Sequence, residues 1–241
     1  MSQAGPDVRF MPEYAKYEKL MELHPDMWQE NALLHGLHMI NACRVPYFER
    51  ALAGGYAGKR VLDIGCGGGI FSESLAKKGA SVVAFDPSEK SLQAARESAR
   101  KQNLKIDYRV AFAEDFDAKE QFDAVFAVDV LEHVNDLDAT LNMAVRHMKP
   151  GALFGYLTHN QTLEAFTFLI WEGEYHTGFI PKGNHDFHKF IRPDDLAARM
   201  RKRGLKPTGE TGLHFDMTAN PPKVVEMADK SISYMGHARR S

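Results

Sequence analysis

The stretch Arg60–Ser88, RVLDIGCGGGIFSESLAKKGASVVAFDPS, decides the fold. Two apolar runs, RVLDI and SVVAF, flank a glycine loop and a short amphipathic segment. Gly65, Gly67 and Gly69 alternate along the loop, and Asp86 closes the second run. Strand, glycine turn, helix and strand form the opening of a βαβ unit. In such a unit the backbone N–H groups of the turn and the helix N-terminus face a ligand.

Downstream the same rhythm continues. IDYRVAF, FDAVFAV and ALFGYLT alternate with the charged helical segments EKSLQAARESARKQ and LDATLNMAVRHM, while KPG at 149–151 ends a helix and turns into the next strand. This alternation predicts a parallel sheet covered on both faces. Upstream, residues 11–53 read as helical, with apolar residues at threes and fours and Gly54-Gly55 as a stop. The alternation breaks after the fifth strand. Residues 159–190 carry the apolar run LEAFTFLIW, and a helix resumes at 192 with Pro193 in its first turn and Gly204 as its stop. KPTGETGLHFDM and SISYMGHARRS close the chain as short strand-like runs. The expected division is a helical cap over 1–55 and an α/β domain over 56–241, with a lid insertion at about 159–190.

Composition narrows the class. The 241 residues suit one domain with a cap, and 44% hydrophobic with 26% charged residues is ordinary for a globular protein. A net charge of −2 argues against a nucleic-acid partner, which calls for a basic excess. Two cysteines, Cys43 and Cys66, make neither a disulfide framework nor a zinc pair, so a reducing compartment is expected. The N-terminal residues lack an apolar signal region, and no apolar run approaches the roughly 18 residues of a membrane span. The expectation is a cytoplasmic protein.

The glycine loop selects among nucleotides. A dehydrogenase fingerprint G-x-G-x-x-G beginning at Gly65 requires glycine where Ile70 stands, and one beginning at Gly67 requires it at Ser72. A nicotinamide oxidoreductase is thereby disfavoured. What stands is D-x-G-x-G-x-G from Asp63 to Gly69. It resembles motif I of the class I S-adenosylmethionine (SAM) methyltransferases, a Rossmann-like α/β fold. Such a loop approaches an amino-acid moiety and a ribose, and Asp86 is placed to accept the ribose hydroxyls. In VAFAEDF, Ala113 would offer a backbone N–H to adenine, with Phe112 as a ring neighbour.

FAVDVLEHV, residues 126–134, ends the fourth strand. Asp129, Glu132 and His133 are spaced i, i+3, i+4, so one helical turn would gather them on one face. Two carboxylates and an imidazole suit magnesium or another divalent cation. The competing reading is structural: acids near a helix start complement its dipole, and a single histidine is commonly a satisfied core residue.

Beyond these motifs the chain resembles the ubiquinone-biosynthesis O-methyltransferases, which methylate ring hydroxyls of polyprenyl-catechol and demethylubiquinol intermediates. VLDIGCGGGIFSESLAKKGA, LEHV and KPGALFGYLT carry the resemblance, and PKGNHDFHKFIRPDDL (181–196) and TGLHFDM (211–217) are its most specific segments. The resemblance implies that Arg44 grips the SAM carboxylate, that Gly65 and Asp86 contact methionine and ribose, and that Val128 or Val130 lines the adenosyl pocket. It implies metal ligation by Asp129, Glu132 and His133. HPDMWQE with its single Trp28, Met39, and HNQ at 159–161 depart from the family pattern, and all three border the acceptor side.

The reaction implied is in-line methyl transfer to a phenolic or catechol oxygen. A phenol with a pKa of about 10 is mostly neutral at pH 7, so it requires either a cation or a base, His133 or His159. The cation is preferred because carboxylates alone repel a phenolate. Two alternatives stand beside this reading: a natural-product methyltransferase derived from the family, and a non-catalytic SAM-binding protein. Within 163–183, Ala165, Phe168 and Leu169 share a helical face, with Phe166, Ile170 and Trp171 around it. This segment is expected to be a lid over the acceptor, with peripheral membrane contact as a secondary role. Oligomeric state is left open.

Overall fold

The computed structural model describes residues 11–216 and 218–241. The first ten residues of the expected cap and Met217 of the TGLHFDM segment lie outside the described residues. Eight strands form one sheet: β1 Arg60–Ile64, β2 Ser81–Asp86, β3 Ile106–Val110, β4 Phe122–Val128, β5 Met148–His159, β6 Leu205–Asp216, β7 Lys223–Met227 and β8 Ser233–Arg240. Their order is β3-β2-β1-β4-β5-β8-β6-β7.

The first five strands are parallel, as the alternation predicts. The closing strands pair antiparallel, β8 on β5, β6 on β8 and β7 on β6, extending the expected parallel sheet at one edge. The physical reason is local: β6, β7 and β8 follow one another without crossover helices, and a parallel neighbour requires one. β7 lies in NPPKVVEM, too short and too charged to declare itself by alternation.

Central strands are buried on both sides. In β4, Ala124, Phe126 and Val128 face a core shared with Phe48, Phe71 and Leu92, whereas Val125 and Ala127 face a second core with Leu141, Phe154 and Met200. Helices α2 (His35–Ala51), α3 (Ile70–Lys77) and α4 (Glu89–Lys101) cover the first face; α5 (Leu137–His147) and α7 (Pro193–Arg201) cover the second. Side-chain caps start several of them. Ser88 accepts from the Ser91 N–H and Asp136 from the Ala139 N–H, satisfying donors that a helix start leaves free. Pro193 opens α7, and Gly204 follows it at φ 75°, as expected.

Upstream, the helical reading of 11–53 resolves into α1 (Glu13–Leu23) and α2, joined by a turn segment carrying Met27 and Trp28. After β5, a single turn α6 (Leu163–Ala165) runs into a π-helical segment, Phe166–His176. Its i→i+5 winding has a longer repeat than an α-helix. Ala165, Leu169, Ile170 and Glu174 therefore point inward, while Phe168 is 43% and Trp171 60% exposed. The expected face of Ala165, Phe168 and Leu169 is corrected by that winding. Among the described residues no helix is long and apolar enough to cross a membrane.

Candidate active site

Strand order reverses between β1 and β4, and the crevice beyond their carboxyl ends is where doubly wound sheets hold ligands. The glycine loop enters there. Gly65, Gly67 and Gly69 have φ of 64°, 50° and 86°, the left-handed region that glycine alone visits cheaply. A side chain at Gly65 would overlap Val130, and one at Gly67 or Gly68 would overlap the indole of Trp28. The Gly67 N–H donates to Asp86 Oδ2 at 2.9 Å, and the Ser88 N–H to Oδ1 at 2.9 Å. Asp86 thus ties the loop to β2 and keeps further lone pairs for a ligand. Burial pushes its carboxyl up to about 6, against the pull of those two N–H donors. Below the loop, Asp63 accepts from Ser72 Oγ at 2.5 Å, and burial raises it to about 7.

Across the crevice, the backbone turns sharply at Asp129, φ 54°, and residues 131–133 form a turn rather than a helix. This corrects the expected helical face. Arg44, from α2, donates to Asp129 Oδ2 at 2.5 Å and to Asn41 Oδ1 at 2.9 Å, with its guanidinium 5.0 Å from the Phe71 ring centre. Glu132 accepts from Thr158 Oγ1 at 2.7 Å, and its Oε1 has no hydrogen-bond partner among the described residues. That oxygen lies 3.4 Å from His159 Nε2, while His159 Nδ1 meets Ser233 Oγ at 2.9 Å. One ligand atom each from Asp129, Glu132 and His159 falls within 4.8 Å of the others. His133 stands outside this group, its Nδ1 at 3.2 Å from Glu13 Oε2. In place of the expected His133, the end of β5 brings His159 to the two acids.

The electrostatics follow from burial. Desolvation raises Glu132 to about 7, reinforced by Asp129, and raises Asp129 despite the opposing charge of Arg44. Burial holds His159 well below the usual imidazole range, with His185 and His133 adding to the effect. Glu13 goes the other way: burial would raise it, but His133 and Lys16 bring it down to about 2. The crowded donor set, with an orphaned buried oxygen on Glu132, fits a divalent cation. The glycine cradle, with Asp86 beneath it, fits the amino-acid and ribose portions of SAM.

Glu13, Asp129, Glu132, His133 and His159 line one cavity of about 380 Å³. Val128, Val130, Phe112 and Ala113 line it too, together with Arg44, Asp63, Gly65, Gly67 and Asp86. Sequence reasoning missed the contributions of Glu13, Tyr17, Leu37, Phe215, Asn184 and His185. Asn184 and His185 stand within PKGNHDFHKFIRPDDL, a segment whose specificity was visible but whose spacing carried no periodic signal. Apolar residues of α2, of the π-helical segment and of β6 line the cavity as well.

The sequence matches a methyltransferase domain family over residues 38–209. It is 38% identical over 231 residues to the ubiquinone biosynthesis O-methyltransferase of Aromatoleum aromaticum, covering 94% of this chain and 96% of that one. The protein of the same name from Acinetobacter baylyi is 36% identical, with 98% and 97% covered. Among solved structures, the PH0226 protein of Pyrococcus horikoshii aligns with a TM-score of 0.66 at 18% identity, covering 92% of this chain and 98% of that one. Magnesium protoporphyrin IX methyltransferase from Synechocystis with bound SAM aligns at 0.64 and 17%, covering 98% and 100%. At those identities the structures establish the fold, that of class I SAM methyltransferases.

Proposed function

This chain belongs to the ubiquinone biosynthesis O-methyltransferase family and is a SAM-dependent O-methyltransferase; we propose that its acceptor is a catechol-type quinone precursor bearing an apolar tail. The observation that carries this reading is the cavity's mixed lining. Asp129, Glu132 and His159 gather as a polar cluster in the same cavity as the glycine loop, and Leu37, Ile40, Leu169, Leu213 and Phe215 add apolar lining. Such a site matches an aromatic ring with hydroxyls at one end and hydrocarbon at the other.

In this reading Arg44 holds the SAM carboxylate, Gly65 and Gly67 bring bare backbone to the methionine portion, and Asp86 accepts from the ribose. Asp63 braces the loop from beneath. Val128, Val130, Phe112 and Ala113 surround the adenosyl group. SAM, when bound, supplies an electrophilic methyl carbon. The chain's own task is alignment, since holding the acceptor oxygen in line with that carbon accounts for much of the rate. The cap from residue 11 to 55 and the lid at about 159–190 are assigned the task of closing the site and excluding water.

Asp129, Glu132 and His159 would hold a divalent cation, magnesium or one like it. Such a cation supplies Lewis-acid stabilisation to a phenolate. An imidazole base is the lesser reading. Burial keeps His159 a weak base, and His133 is engaged with Glu13.

A second role is supported by the lid surface. Leu163 is 75%, Trp171 60%, Phe179 50% and Phe168 43% exposed along this stretch, apolar surface suited to shallow insertion at a lipid interface. The proposed location is the cytoplasm, peripheral to a membrane.

Incubation with methyl-labelled SAM and a panel of tailed catechols and phenols, with and without a chelator, tests the function. Label transferred to a tailed catechol is the expected result. No transfer to any ring overturns the acceptor assignment.

A further inference from the structure

The lid carries a buried polar relay that the chemistry above does not use. Glu174, on the π-helical segment, has a fully buried side chain. Its Oε2 accepts the Gly183 N–H at 2.6 Å, and its Oε1 accepts both the His185 N–H and His185 Nδ1, each at 2.9 Å. An oxygen that serves as acceptor makes Nδ1 the protonated nitrogen of the ring. Nε2 is then the acceptor, and Asn184 Nδ2, 3.3 Å away, is its donor. The amide of Asn184 is oriented by this relay together with a side-chain hydrogen bond to Tyr17, which leaves Oδ1 as the atom directed elsewhere.

That oxygen has no hydrogen-bond partner among the described residues, although Asn184 is only 7% exposed and lines the cavity. A buried acceptor without a donor is costly, and a ligand that brings a donor recovers the cost. The His185 ring, side chain 7% exposed, lies 5.0 Å from the His159 ring and 5.5 Å from the His133 ring, so the relay ends beside the polar cluster.

We propose that Asn184 Oδ1, set by the Glu174–His185–Asn184 relay, accepts the O–H of the acceptor's second ring hydroxyl, the one not being methylated. Asn184 is then a specificity-determining residue, and Glu174 and His185 are positioning residues acting through it. The inference rests on the acceptor reading given above and sharpens it. The site selects a ring that still carries a free hydroxyl next to the reacting one, and disfavours one whose neighbouring oxygen is an ether, a carbonyl or absent.

The test compares a 4-alkyl catechol with the 4-alkyl phenol of the same tail. Wild type should favour the catechol by roughly 10–100-fold in kcat/KM, expressed mainly in KM, the scale of an unmet buried polar group. In Asn184→Leu the preference should collapse, with SAM affinity by calorimetry unchanged. A preference that survives this substitution overturns the relay's role while leaving the acceptor reading intact. A wild type that binds SAM but methylates neither ring overturns the acceptor reading, and the relay's role with it.

Nitrogen-15 spectra of wild type supply a measurement independent of any variant's folding. His185 should show a protonated Nδ1 and a bare Nε2, and the Asn184 side-chain amide should shift when the catechol is added. The opposite tautomer, or an amide indifferent to catechol, overturns the proposal. In Glu174→Gln the single tautomer should give way to a mixture and the catechol KM should rise while kcat holds. An unaltered tautomer there removes Glu174 from the relay.

Discussion

Arg44 Nη1 and Asp129 Oδ2 meet at 2.5 Å across 85 positions of sequence, joining α2 to the end of β4 inside the cavity. Their side chains are 4% and 15% exposed, so removing one partner strands a buried charge. Arg44→Met should lower stability by roughly 3–5 kcal/mol at pH 8, read from urea midpoints. At pH 4 the loss should shrink, because burial raises the Asp129 carboxyl and a larger protonated share needs no counterion. A loss equal at both pH values would refute the ion pair's role.

The loop tie at Asp86 makes a second expectation. Asp86→Ala removes the proposed ribose acceptor and frees the Gly67 N–H, so SAM affinity should fall about 10–100-fold, the equivalent of ~1–3 kcal/mol. Calorimetry with SAM decides this. Unchanged affinity would place the cofactor elsewhere.

Glu132 sets a pH dependence. Its folded value of about 7 lies above its ordinary 4.5, so the unfolded chain ionises first as pH rises. The stability associated with this group is present below pH 4.5 and is lost as pH rises through about 7. Glu132→Gln should therefore stabilise the metal-free protein at pH 8 by about 1–3 kcal/mol. The same substitution should do nothing near pH 4. Denaturant melts at the two pH values separate these outcomes.

Metal binding has a readout independent of turnover. Magnesium should raise the melting temperature in a concentration-dependent way, and EDTA should reverse it. The shift should vanish in Asp129→Asn and His159→Ala but persist in His133→Ala, since His133 is held on Glu13. A shift lost with His133 and retained without His159 would restore the arrangement first expected from spacing.

For the lid surface, flotation with liposomes should carry the wild-type protein and lose the Phe168→Ser/Trp171→Ser variant. Anionic lipid should add little, given the net charge of −2. Flotation indifferent to the double substitution would leave the exposed cluster without a lipid role.

Most of the frame was legible because periodicity reports burial. The five parallel strands, the glycine loop and Asp86 all stand where alternation and turn chemistry put them. Long-range convergence was not legible. His133 follows Glu132 in sequence, yet the positive φ of Asp129 and the turn after it swing its ring toward Glu13, and His159 arrives from β5 instead. Spacing rules assume a regular helix, and the backbone here is not one. The lid face failed for a related reason: π winding shifts which residues face inward, and nothing in LEAFTFLIW distinguishes it from an α-helix.

The indole of Trp28 rests on the bare backbone of Gly67 and Gly68, and the chain's other tryptophan, Trp171, stands out on the lid. The protein therefore carries one optical reporter in its cavity and another on the outer surface of the lid. Emission from Trp28 follows what fills the glycine cradle, while emission from Trp171 follows what covers the lid. Changes in the two bands can be timed against each other, so the order in which cofactor and acceptor side close is observable in the unlabelled protein.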